Sequence, residues 1–415
     1  MMGSSLPRRL ALVVPDLMGA GGVPAVARFI RDTALRTEHY DLRLVSLSSA
    51  SNDRDSVRIV SPSSWFHGAR TTTTFWEGQS VAHVGAVGGE FEFQRYKPRA
   101  ALTQVVADCD VIQVVCGSAA WANSVIGLGK PVSVQVATRA CVERRLRDAS
   151  PRSLSSWWRK GMTKITNSLD DRALRHADAV QVENPWMFDY TQVLNSGRDI
   201  DIRYAPPGVD ANVYCPGERR ELTLDAYVLC VARLDDARKN VGLLLEAFAK
   251  LPHSLRIDVR LVLAGAVGPP SSFWQRADEL GLRDRVSYVE RPDSAALLRL
   301  YQGASVFALP SDEEGLGMVL LEAMACGVPV VSTRSGGPDG IITDGEDGYL
   351  TALDNADAMS LRLGQLLHDA NLNERMGRAA RKTIEKRYDE RVAGEAFVEV
   401  WDRLAHKSRG SICAA

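Results

Sequence analysis

Long apolar stretches are missing from this 415-residue sequence. No window approaches the roughly 18 consecutive apolar residues that a membrane-spanning helix needs, and the only apolar run near the amino terminus is Leu10–Val14. That run is shorter than the apolar region of a signal peptide, which has roughly 7–15 residues. The sequence therefore predicts neither a transmembrane segment nor a secretory leader, whereas attachment to a membrane surface stays open.

Paired cysteines and an excess of charge of either sign are also lacking. The seven Cys residues form no C-x-x-C pair and stand at positions 109, 116, 141, 215, 230, 326 and 413. An odd number of scattered thiols fits a reducing compartment better than a disulfide framework, so we expect a cytoplasmic protein. A formal net charge of -1 gives no general attraction to nucleic acid.

Length and strand pattern predict two domains. A chain of 415 residues exceeds the size at which a single core usually keeps growing. Short β-rich runs alternate with helical stretches in both halves, which is typical of doubly wound α/β domains. The Pro- and Gly-containing stretch 204–217 breaks this periodicity. We therefore expect a first domain over residues 1–205 and a second over residues 206–385.

The stretch from Ser311 to Pro338 is the most informative part of the chain. Glu314 precedes the tight turn Gly315–Gly317, and Glu322 lies on the helix-forming run that follows. The first amides of a helix lack internal partners and favour a phosphate, while the two carboxylates can accept hydrogen bonds from the hydroxyls of a sugar or ribose. For an isolated pair of Glu residues, the simpler interpretation is that acidic groups complement the helix dipole.

This stretch resembles the E-x7-E signature of retaining glycosyltransferases of family 4, and the match extends through GVPVVST and SGGP. The resemblance implies the GT-B fold, in which two Rossmann-like doubly wound domains face a central cleft. It further implies that Glu314 contacts hydroxyls of a donor sugar and that Glu322 contacts the nucleotide ribose. Gly315, Leu316 and Gly317 would bind the donor with them. Such enzymes transfer hexosyl-type sugars to hydroxyl acceptors in the synthesis of glycolipids, polysaccharides or glycoconjugates.

Two neighbouring patterns resemble the same family with changes. The stretch 204–217 resembles its hinge, N-G-x-D-x-x-x-F-x-P, but Pro207 replaces Asn and Tyr214 replaces Phe. The family's turn GG-x-x-E is also altered, because the chain reads GGPDG and offers only the shorter acid Asp339.

The last helix, expected from about Thr383 to Leu404, carries apolar residues at helical spacing. Its buried stripe would contain Phe397, Val400, Trp401 and Leu404. Chains with the GT-B fold commonly end with a helix that crosses back to the first domain, which the resemblance implies for residues 386–415. A helix that packs only on the second domain is the alternative.

Two cations are expected to bind a diphosphate, whose charge grows as it leaves the sugar. Arg233 ends a predicted strand, and Lys239 lies just before a helix that begins near Asn240. Both can therefore reach one crevice at the carboxyl edge of a sheet. The family shows R-L-x-x-x-K or the one-residue-longer form present here, which makes Arg233 and Lys239 the catalytic cations together with Glu314. Arg238 is a neighbour that could be confused with them.

The glycine turn after the first strand offers backbone amides to a phosphate. Gly21 and Gly22 match the family's amino-terminal loop and are expected to bind the donor. A dinucleotide-dependent oxidoreductase is the remote alternative. It would need G-x-G-x-x-G, but Pro24 occupies the third glycine position and no acid ends the second strand.

Many relatives carry a His after the strand that here reads KPVSVQVAT, and that place falls on Ala137 or Thr138. Either another residue serves, with Thr138 and Arg139 as the nearest acceptor-side candidates, or turnover is compromised. The second option corresponds to a catalytically silent nucleotide-sugar-binding subunit. His83 could also approach an acceptor, although a lone His is more often an ordinary surface or core residue.

The reaction implied by the resemblance retains the anomeric configuration, because the leaving phosphate takes the acceptor proton on the same face of the sugar. No protein nucleophile is then needed. No D-x-D triplet of the metal-using transferase type stands near a strand end, and no His or Cys cluster has ligand spacing. We therefore expect no cofactor and no metal, with the nucleotide sugar as substrate.

The stretch 139–175 carries ten Lys or Arg residues against four Asp or Glu, which gives 10 − 4 = +6. Trp157 and Trp158 lie within it, and apolar residues recur at helical spacing at 154, 158, 162, 165 and 169. A basic amphipathic helix with Trp residues suits contact with the inner face of a membrane. Alternatively, the stripe packs on its own domain and the basic face is solvated. A lipid-linked or phosphorylated acceptor would suit the charge.

Overall fold

The computed structural model describes residues 7–19, 21–148, 154–217 and 226–412. The chain forms two compact units: one comprises Met1–Pro207 and Ala393–Ala415, and the other comprises Gly208–Val392. Each unit is built on a largely parallel sheet with helices between successive strands. The predicted class of two Rossmann-like α/β domains is therefore confirmed.

The first unit alternates strands and helices along most of its length. Its strands are β1 (Arg8–Pro15), β2 (Tyr40–Leu47), β3 (Thr71–Trp76), β4 (Gln79–Val84), β5 (Val111–Ser118), β6 (Val132–Thr138), β7 (Ala179–Val182) and β8 (Asp201–Tyr204). Its helices are α1 (Gly22–Arg36), α2 (Glu92–Arg95), α3 (Ala100–Val106), α4 (Ala140–Glu143), α5 (Arg145–Asp148), α6 (Leu154–His176) and α7 (Pro185–Leu194). Short 3-10 turns cover Pro62–Phe66 and Ala119–Ser124.

The first sheet has the strand order β3-β4-β2-β1-β5-β6-β7-β8. Only β3 is antiparallel to its neighbour among the described strands. Alternate side chains of β1 enter two different cores, with Leu10 and Leu12 on one face and Ala11 and Val13 on the other. A parallel sheet buried on both faces explains why its strands read as continuous apolar runs.

The second unit has a smaller sheet. Its strands are β9 (Tyr227–Val231), β10 (Arg260–Gly265), β11 (Val286–Glu290), β12 (Val306–Leu309), β13 (Val330–Thr333) and β14 (Tyr349–Thr351). Its helices are α8 (Val241–Ala249), α9 (His253–Asp258), α10 (Ser271–Glu279), α11 (Ser294–Gly303), α12 (Met318–Ala325), α13 (Gly337–Ile341), α14 (Ala356–His368) and α15 (Ala370–Thr383), with 3-10 turns at Ala237–Lys239 and Arg283–Arg285.

The second sheet is parallel throughout its described strands and has the order β11-β10-β9-β12-β13-β14. The chain moves outward from β9 to β10 on one side and returns to β12 on the other. The adjacent strands β9 and β12 therefore flank the switch point, where ligands of open α/β sheets bind outside the carboxyl ends.

The last helix, α16 (Glu390–Ile412), joins the first unit from Ala393 onwards. It begins later than Thr383 because a π turn at Ile384–Tyr388 is followed by extended backbone at Asp389. Its apolar stripe at 397, 400, 401 and 404 is buried in the core that also contains α1 and β1. Trp401 donates from Nε1 to Gln113 Oε1 at 2.8 Å, so the ring's polar edge is satisfied as well.

Membrane-spanning helices are not found in the described residues, since none of the helices there combines the length and the apolar character that a bilayer crossing demands.

Candidate functional site

The helix α12 starts from a turn that depends on glycine. Gly317 has φ 92°, a left-handed conformation that favours glycine, and directly precedes Met318. A Cβ on Gly337 would lie 2.3 Å from the carbonyl oxygen of Leu316, so only glycine allows the two turns to meet. The backbone of Glu314 joins them, because its N–H donates to Ser335 at 2.9 Å and its carbonyl accepts from Gly337 at 3.0 Å.

Glu314 is 8% exposed and is held from two sides. Ser311 Oγ donates to Glu314 Oε1 at 2.6 Å, and Lys239 Nζ lies 2.8 Å from the same oxygen. The charge-assisted hydrogen bond from Lys239 and the hydrogen bond from the Ser311 hydroxyl therefore fix the orientation of the carboxylate. The structure thus brings together two of the three predicted catalytic residues.

The loop that carries Lys239 is fixed at the carboxyl end of β9. Asp236 accepts from the N–H of Arg238 at 3.0 Å and begins the short 3-10 turn. Asn240 adopts a left-handed conformation with φ 43° and caps α8. Its side chain also donates to Asp312 Oδ1 at 2.8 Å, while the N–H of Asp312 donates to the Arg238 carbonyl at 2.7 Å. The loops after β9 and β12 are consequently tied to each other.

Arg233 is connected to the loop that carries Lys239 by an ion pair with Asp236. Its Nη2 lies 3.0 Å from Asp236 Oδ2, and its side chain is 50% exposed. Arg238 links Asp236 to Glu313 at 2.8 and 2.9 Å. Burial tends to raise the pKa of Asp236, but the guanidinium and backbone N–H of Arg238, together with Arg233, lower that pKa below its usual value.

Glu322 lies on α12 and has a partner that the sequence did not reveal. Tyr301 on α11 donates from its hydroxyl to Glu322 Oε2 at 2.6 Å. Tyr301 is fully buried, and burial together with the neighbouring Glu322 raises its pKa well above the usual value. The phenol therefore stays a neutral donor and fixes the direction of the carboxylate. Nothing in the spacing of residues 301 and 322 could have identified this pair, because it depends on the packing of two helices.

The shorter acid Asp339 has a local role. Its Oδ2 accepts from the N–H of Gly336 at 2.9 Å, and its Oδ1 lies 3.5 Å from Arg334 Nη1. Asp339 thus stabilises the turn that packs against residues 314–316.

The predicted acceptor-side residues and first-domain glycines lie at the carboxyl edge of the first sheet. Gly21 has φ 126° and caps α1, which starts at Gly22 after β1; Ala20 lies outside the described residues. Thr138 ends β6 and is 5% exposed, and its Oγ1 has no hydrogen-bond partner in the described part of the chain. Arg139 pairs with Asp171, and its guanidinium lies 4.0 Å from the centre of the Tyr190 ring. Arg139 is therefore already engaged within its own domain.

The place where many relatives are expected to carry His falls on Ala137 or Thr138, and Asn184 Nδ2 donates to the carbonyl of Ala137 at 2.7 Å. His83 is bound instead to Asp53 at 3.1 Å and to Ser46 at 3.3 Å. The hydrogen bond and charge of Asp53 raise the pKa of His83, while His83 and Ser56 overcome burial and lower the pKa of Asp53 to about 2. His83 and Asp53 are therefore partners of each other within the first domain.

Among the described residues, Asp53, Asp55 and His83 form the one grouping whose ligand atoms could surround a metal ion. It belongs to the first unit, whereas Glu314 and Lys239 belong to the second. The buried Arg99 interacts electrostatically with Asp53.

A cavity of about 380 Å³ is lined in part by residues of the Arg233–Lys239 loop. Its lining includes Asp235, Asp236 and Glu246, with Arg276 as the cation, and it contains neither Lys239 nor Glu314. Its acidic character does not suit a diphosphate.

The basic segment predicted to contact a membrane is mostly helix α6, although residues 149–153 lie outside the described residues. Trp157 and Trp158 are 68% and 60% exposed. The ring centres of Trp158 and Phe91 are 6.4 Å apart, and Ile165 is also exposed. The predicted single stripe is wrong, because Met162 packs inward with polar neighbours such as Thr166, while Trp158 and Ile165 face solvent.

Residues 218–383 match the family model described as "Glycosyl transferases group 1". A D-inositol 3-phosphate glycosyltransferase of Mycolicibacterium paratuberculosis is 36% identical over 172 residues, which cover 39% of this chain and 38% of that protein. A GDP-mannose-dependent alpha-(1-6)-phosphatidylinositol monomannoside mannosyltransferase of Mycolicibacterium smegmatis is 33% identical over 220 residues, which cover 49% of this chain and 57% of that protein.

A solved structure of the Anabaena protein HepE in complex with UDP-glucose has a TM-score of 0.68 to this chain at 17% identity, and the match covers 95% of this chain and 99% of that one. The sequence relatives thus match only 38% and 57% of their own length, whereas the fold match extends over both units. The chain therefore has the two-domain GT-B fold, and the match to the group 1 glycosyl transferase model lies within its second domain.

Proposed function

We propose that the protein is a retaining glycosyltransferase of family 4, which moves a hexosyl-type sugar from a nucleotide diphosphate sugar to a hydroxyl acceptor. The observation that carries this proposal is the Lys239–Glu314 pair beside the glycine turn of α12, within a domain that matches group 1 glycosyl transferases. The names of two similar proteins support a nucleotide-sugar donor, since one uses GDP-mannose and the other was solved with UDP-glucose.

Lys239 supplies charge to the donor diphosphate in this proposal. A diphosphate that approaches the amides at the start of α12 competes with Glu314 for the ammonium group. Arg233 is half exposed and can turn from Asp236 to the same anion. Because charge builds on the departing diphosphate, these interactions strengthen in the transition state, and they lower the barrier more than they tighten donor binding.

Glu314 and Glu322 bind hydroxyls of the sugar and the ribose. Glu314 is held in place by Ser311, and Glu322 by Tyr301, so each keeps its orientation while its remaining lone pairs accept hydrogen bonds. The leaving phosphate accepts the acceptor's proton on the face that it leaves, which retains the anomeric configuration. Neither a protein nucleophile nor a metal ion takes part.

The first domain contributes Gly21 and Gly22 to the donor phosphates and Thr138 to the acceptor. Thr138 is the better acceptor candidate, because its hydroxyl is buried without a partner in the described chain, whereas Arg139 is bound by Asp171 and Tyr190. An unpaired buried hydroxyl costs free energy that a bound acceptor hydroxyl would recover.

A second candidate function is that of a catalytically silent nucleotide-sugar-binding subunit. The observation that favours it is that neither Ala137 nor Thr138, the two positions where the expected His would lie, offers an imidazole, while Asn184 binds the carbonyl of Ala137. This candidate keeps the donor site and loses turnover.

One experiment separates the two candidates. Purified protein is mixed with UDP- and GDP-hexoses, with and without D-inositol 3-phosphate as a hydroxyl acceptor. Thermal shift and release of nucleoside diphosphate are both measured, and water is the acceptor in the samples without the inositol phosphate. We expect one donor to raise Tm and to be turned over. Glu314→Gln should lower turnover by about 10²- to 10³-fold. Its Tm should fall modestly, because the carboxamide oxygen still accepts from Ser311 and Lys239 but no longer carries the charge that pairs with the ammonium group. A Tm shift without release supports the silent subunit. No shift and no release with any donor contradict both candidates.

We also propose that α6 attaches a cytoplasmic protein to the inner face of a membrane. Trp157 and Trp158 are exposed, and Lys160 and Lys164 are exposed on the same helix. Indole rings suit the headgroup region, and cations attract anionic lipids. The phosphatidylinositol in the name of one relative is consistent with an acceptor at such a surface.

Vesicle sedimentation tests this attachment. The wild type is expected to sediment with vesicles that contain phosphatidylglycerol and to stay in solution with pure phosphatidylcholine. Trp157→Ser with Trp158→Ser should reduce the bound fraction several-fold, because about 1 kcal/mol or more of interfacial binding is lost. Phe75→Ser is the matched control, since Phe75 is 72% exposed on β3 outside this segment. Equal loss in both variants would show that α6 has no special role.

A further inference from the structure

A second cavity, of about 310 Å³, lies in the loop that follows β2 in the first domain. This volume is at the lower end of the range for small-molecule sites. Three arginines line it, Arg54, Arg58 and Arg70, together with the hydroxyls of Ser61 and Ser63. Guanidinium groups and hydroxyls are the donors that proteins use to bind phosphate.

None of the three guanidinium groups makes a hydrogen bond or an ion pair within the described residues, although most other arginines of the first domain do. Arg58 is the most telling, because its Nε is buried and has no hydrogen-bond partner in the described chain. A buried unsatisfied donor costs about 1–3 kcal/mol. An anion in the cavity would remove that cost.

The cavity walls are built by specific contacts. Ser64 Oγ accepts from the N–H of Arg58 at 2.8 Å and donates to the Ser61 carbonyl at 2.6 Å. Trp65 donates from Nε1 to the Arg58 carbonyl at 2.7 Å, and the N–H of Arg70 donates to the Asp55 carbonyl at 2.9 Å. The backbone of the loop is therefore fixed while the arginine side chains remain available.

Acidic groups near the cavity offset only part of the charge of its three arginines. Asp53 also lines it, but His83 and Ser56 bind that carboxylate at 3.1 and 2.6 Å. Glu90 interacts with Arg58 electrostatically and accepts from the N–H of Val60 at 3.4 Å. Three arginines thus face one lining carboxylate that is already paired.

The cavity lies at the functional edge of its own sheet. It follows the carboxyl end of β2, which is parallel to β1, and β1 is linked through β5 to β6 by further parallel pairs. The carboxyl ends of these strands share one edge, so the cavity, the Gly21–Gly22 turn and Thr138 are all at that edge.

We infer that this cavity binds a phosphoryl group through Arg58, Arg70 and Arg54. This inference rests on the proposed function, in which the phosphoryl group is part of the acceptor. The group can come from a lipid headgroup or from a water-soluble phosphate. Trp65 and Phe66, which are 58% and 88% exposed beside the cavity, are side chains that a lipid's acyl region would cover.

Isothermal titration calorimetry with two probes tests the inference and separates the two sources. The probes are inorganic phosphate and monomeric dihexanoyl phosphatidic acid below its critical micelle concentration. Arg58→Ala and Arg70→Ala should each raise Kd at least tenfold for the probe that binds. Arg70 is exposed, so its variant folds even if Arg58→Ala is unstable. Arg375→Ala, an exposed arginine of the second domain, is the matched control.

Binding of both probes with this arginine dependence indicates a site for phosphate as such, and binding of the lipid alone indicates a headgroup site. Either result supports the inference. No binding, or binding that both variants leave unchanged, overturns it. Release of nucleoside diphosphate from UDP- and GDP-hexoses is measured separately with the same protein preparations. Arginine-dependent binding without any release contradicts the proposed function only, and release without probe binding contradicts the cavity's role only.

Discussion

Glu183 is a buried acid that the proposed chemistry does not use. It directly follows β7, is 4% exposed and accepts one hydrogen bond, from Gln135 Nε2 at 3.3 Å. Burial raises its pKa to about 7, and the Gln135 bond offsets only part of that effect. Because the folded state holds this proton more tightly than the unfolded state, the free energy of unfolding should fall as the pH rises from about 4.5 to about 7.

Replacement of this acid by an amide of the same shape should remove that loss. We predict that Glu183→Gln gains roughly 3 kcal/mol over the wild type between pH 5 and pH 8. Urea unfolding at the two pH values measures the difference, in which the titrations common to both proteins cancel. A stability difference that is the same at pH 5 and pH 8 would show that Glu183 does not carry a raised pKa.

The sequence identified single site residues better than it identified their partners. Glu314 and Lys239 were predicted from a local motif and from the end of a strand, and the structure pairs them. Ser311 was within reach of sequence reasoning, because it precedes Glu314 by three positions in the same turn. Tyr301 was not, since its bond to Glu322 depends on how α11 packs against α12. The cavity arginines were missed because exposed basic residues carry no spacing signal.

At the scale of elements, the start of α12 depends on a close approach of two turns. An Ala at position 337 would force its Cβ to within 2.3 Å of the Leu316 carbonyl oxygen. We predict that Gly337→Ala costs about 1–3 kcal/mol of stability and weakens donor binding at least tenfold, because the turn that carries Glu314 must move. Gly364→Ala is the control, since its Cβ would make an ordinary 3.7 Å contact inside α14. Thermal unfolding and donor titration of both variants check this prediction, and equal behaviour would contradict it.

Element boundaries show why patterns alone fall short. The apolar spacing of the last helix was read correctly at its four buried positions, but the helix begins at Glu390 rather than near Thr383 because of the π turn before it. In α6 the apolar spacing was misleading, because buried Thr163, Thr166 and Asp170 occupy its inner face in place of apolar residues. Asp170 is satisfied there by Ser118 and by the N–H groups of Ala120 and Ala140. A buried polar network of this kind leaves no periodic signal.

At the scale of the whole molecule, alternating strands and helices were sufficient to predict two doubly wound units. The sheet orders place switch points beside β1 in the first unit and between β9 and β12 in the second. The predicted donor-binding residues follow β1, β9 and β12 at these positions, which is where open α/β sheets bind ligands. The identity of the sugar, the base and the acceptor depends on side chains in variable loops, and these follow no pattern that a single sequence displays.

The proposed donor site is centred on the Lys239–Glu314 pair. Its most direct test is to measure by calorimetry how tightly the full chain binds a nucleoside diphosphate and the corresponding nucleotide sugar. Lys239→Ala should weaken both ligands at least tenfold, because each carries the diphosphate. Glu314→Gln should weaken only the nucleotide sugar, because the sugar hydroxyls lose a charged hydrogen-bond acceptor. The free diphosphate should not bind more weakly, because the variant removes a negative charge beside Lys239. Wild-type affinity for both ligands in both variants would contradict the proposed donor site.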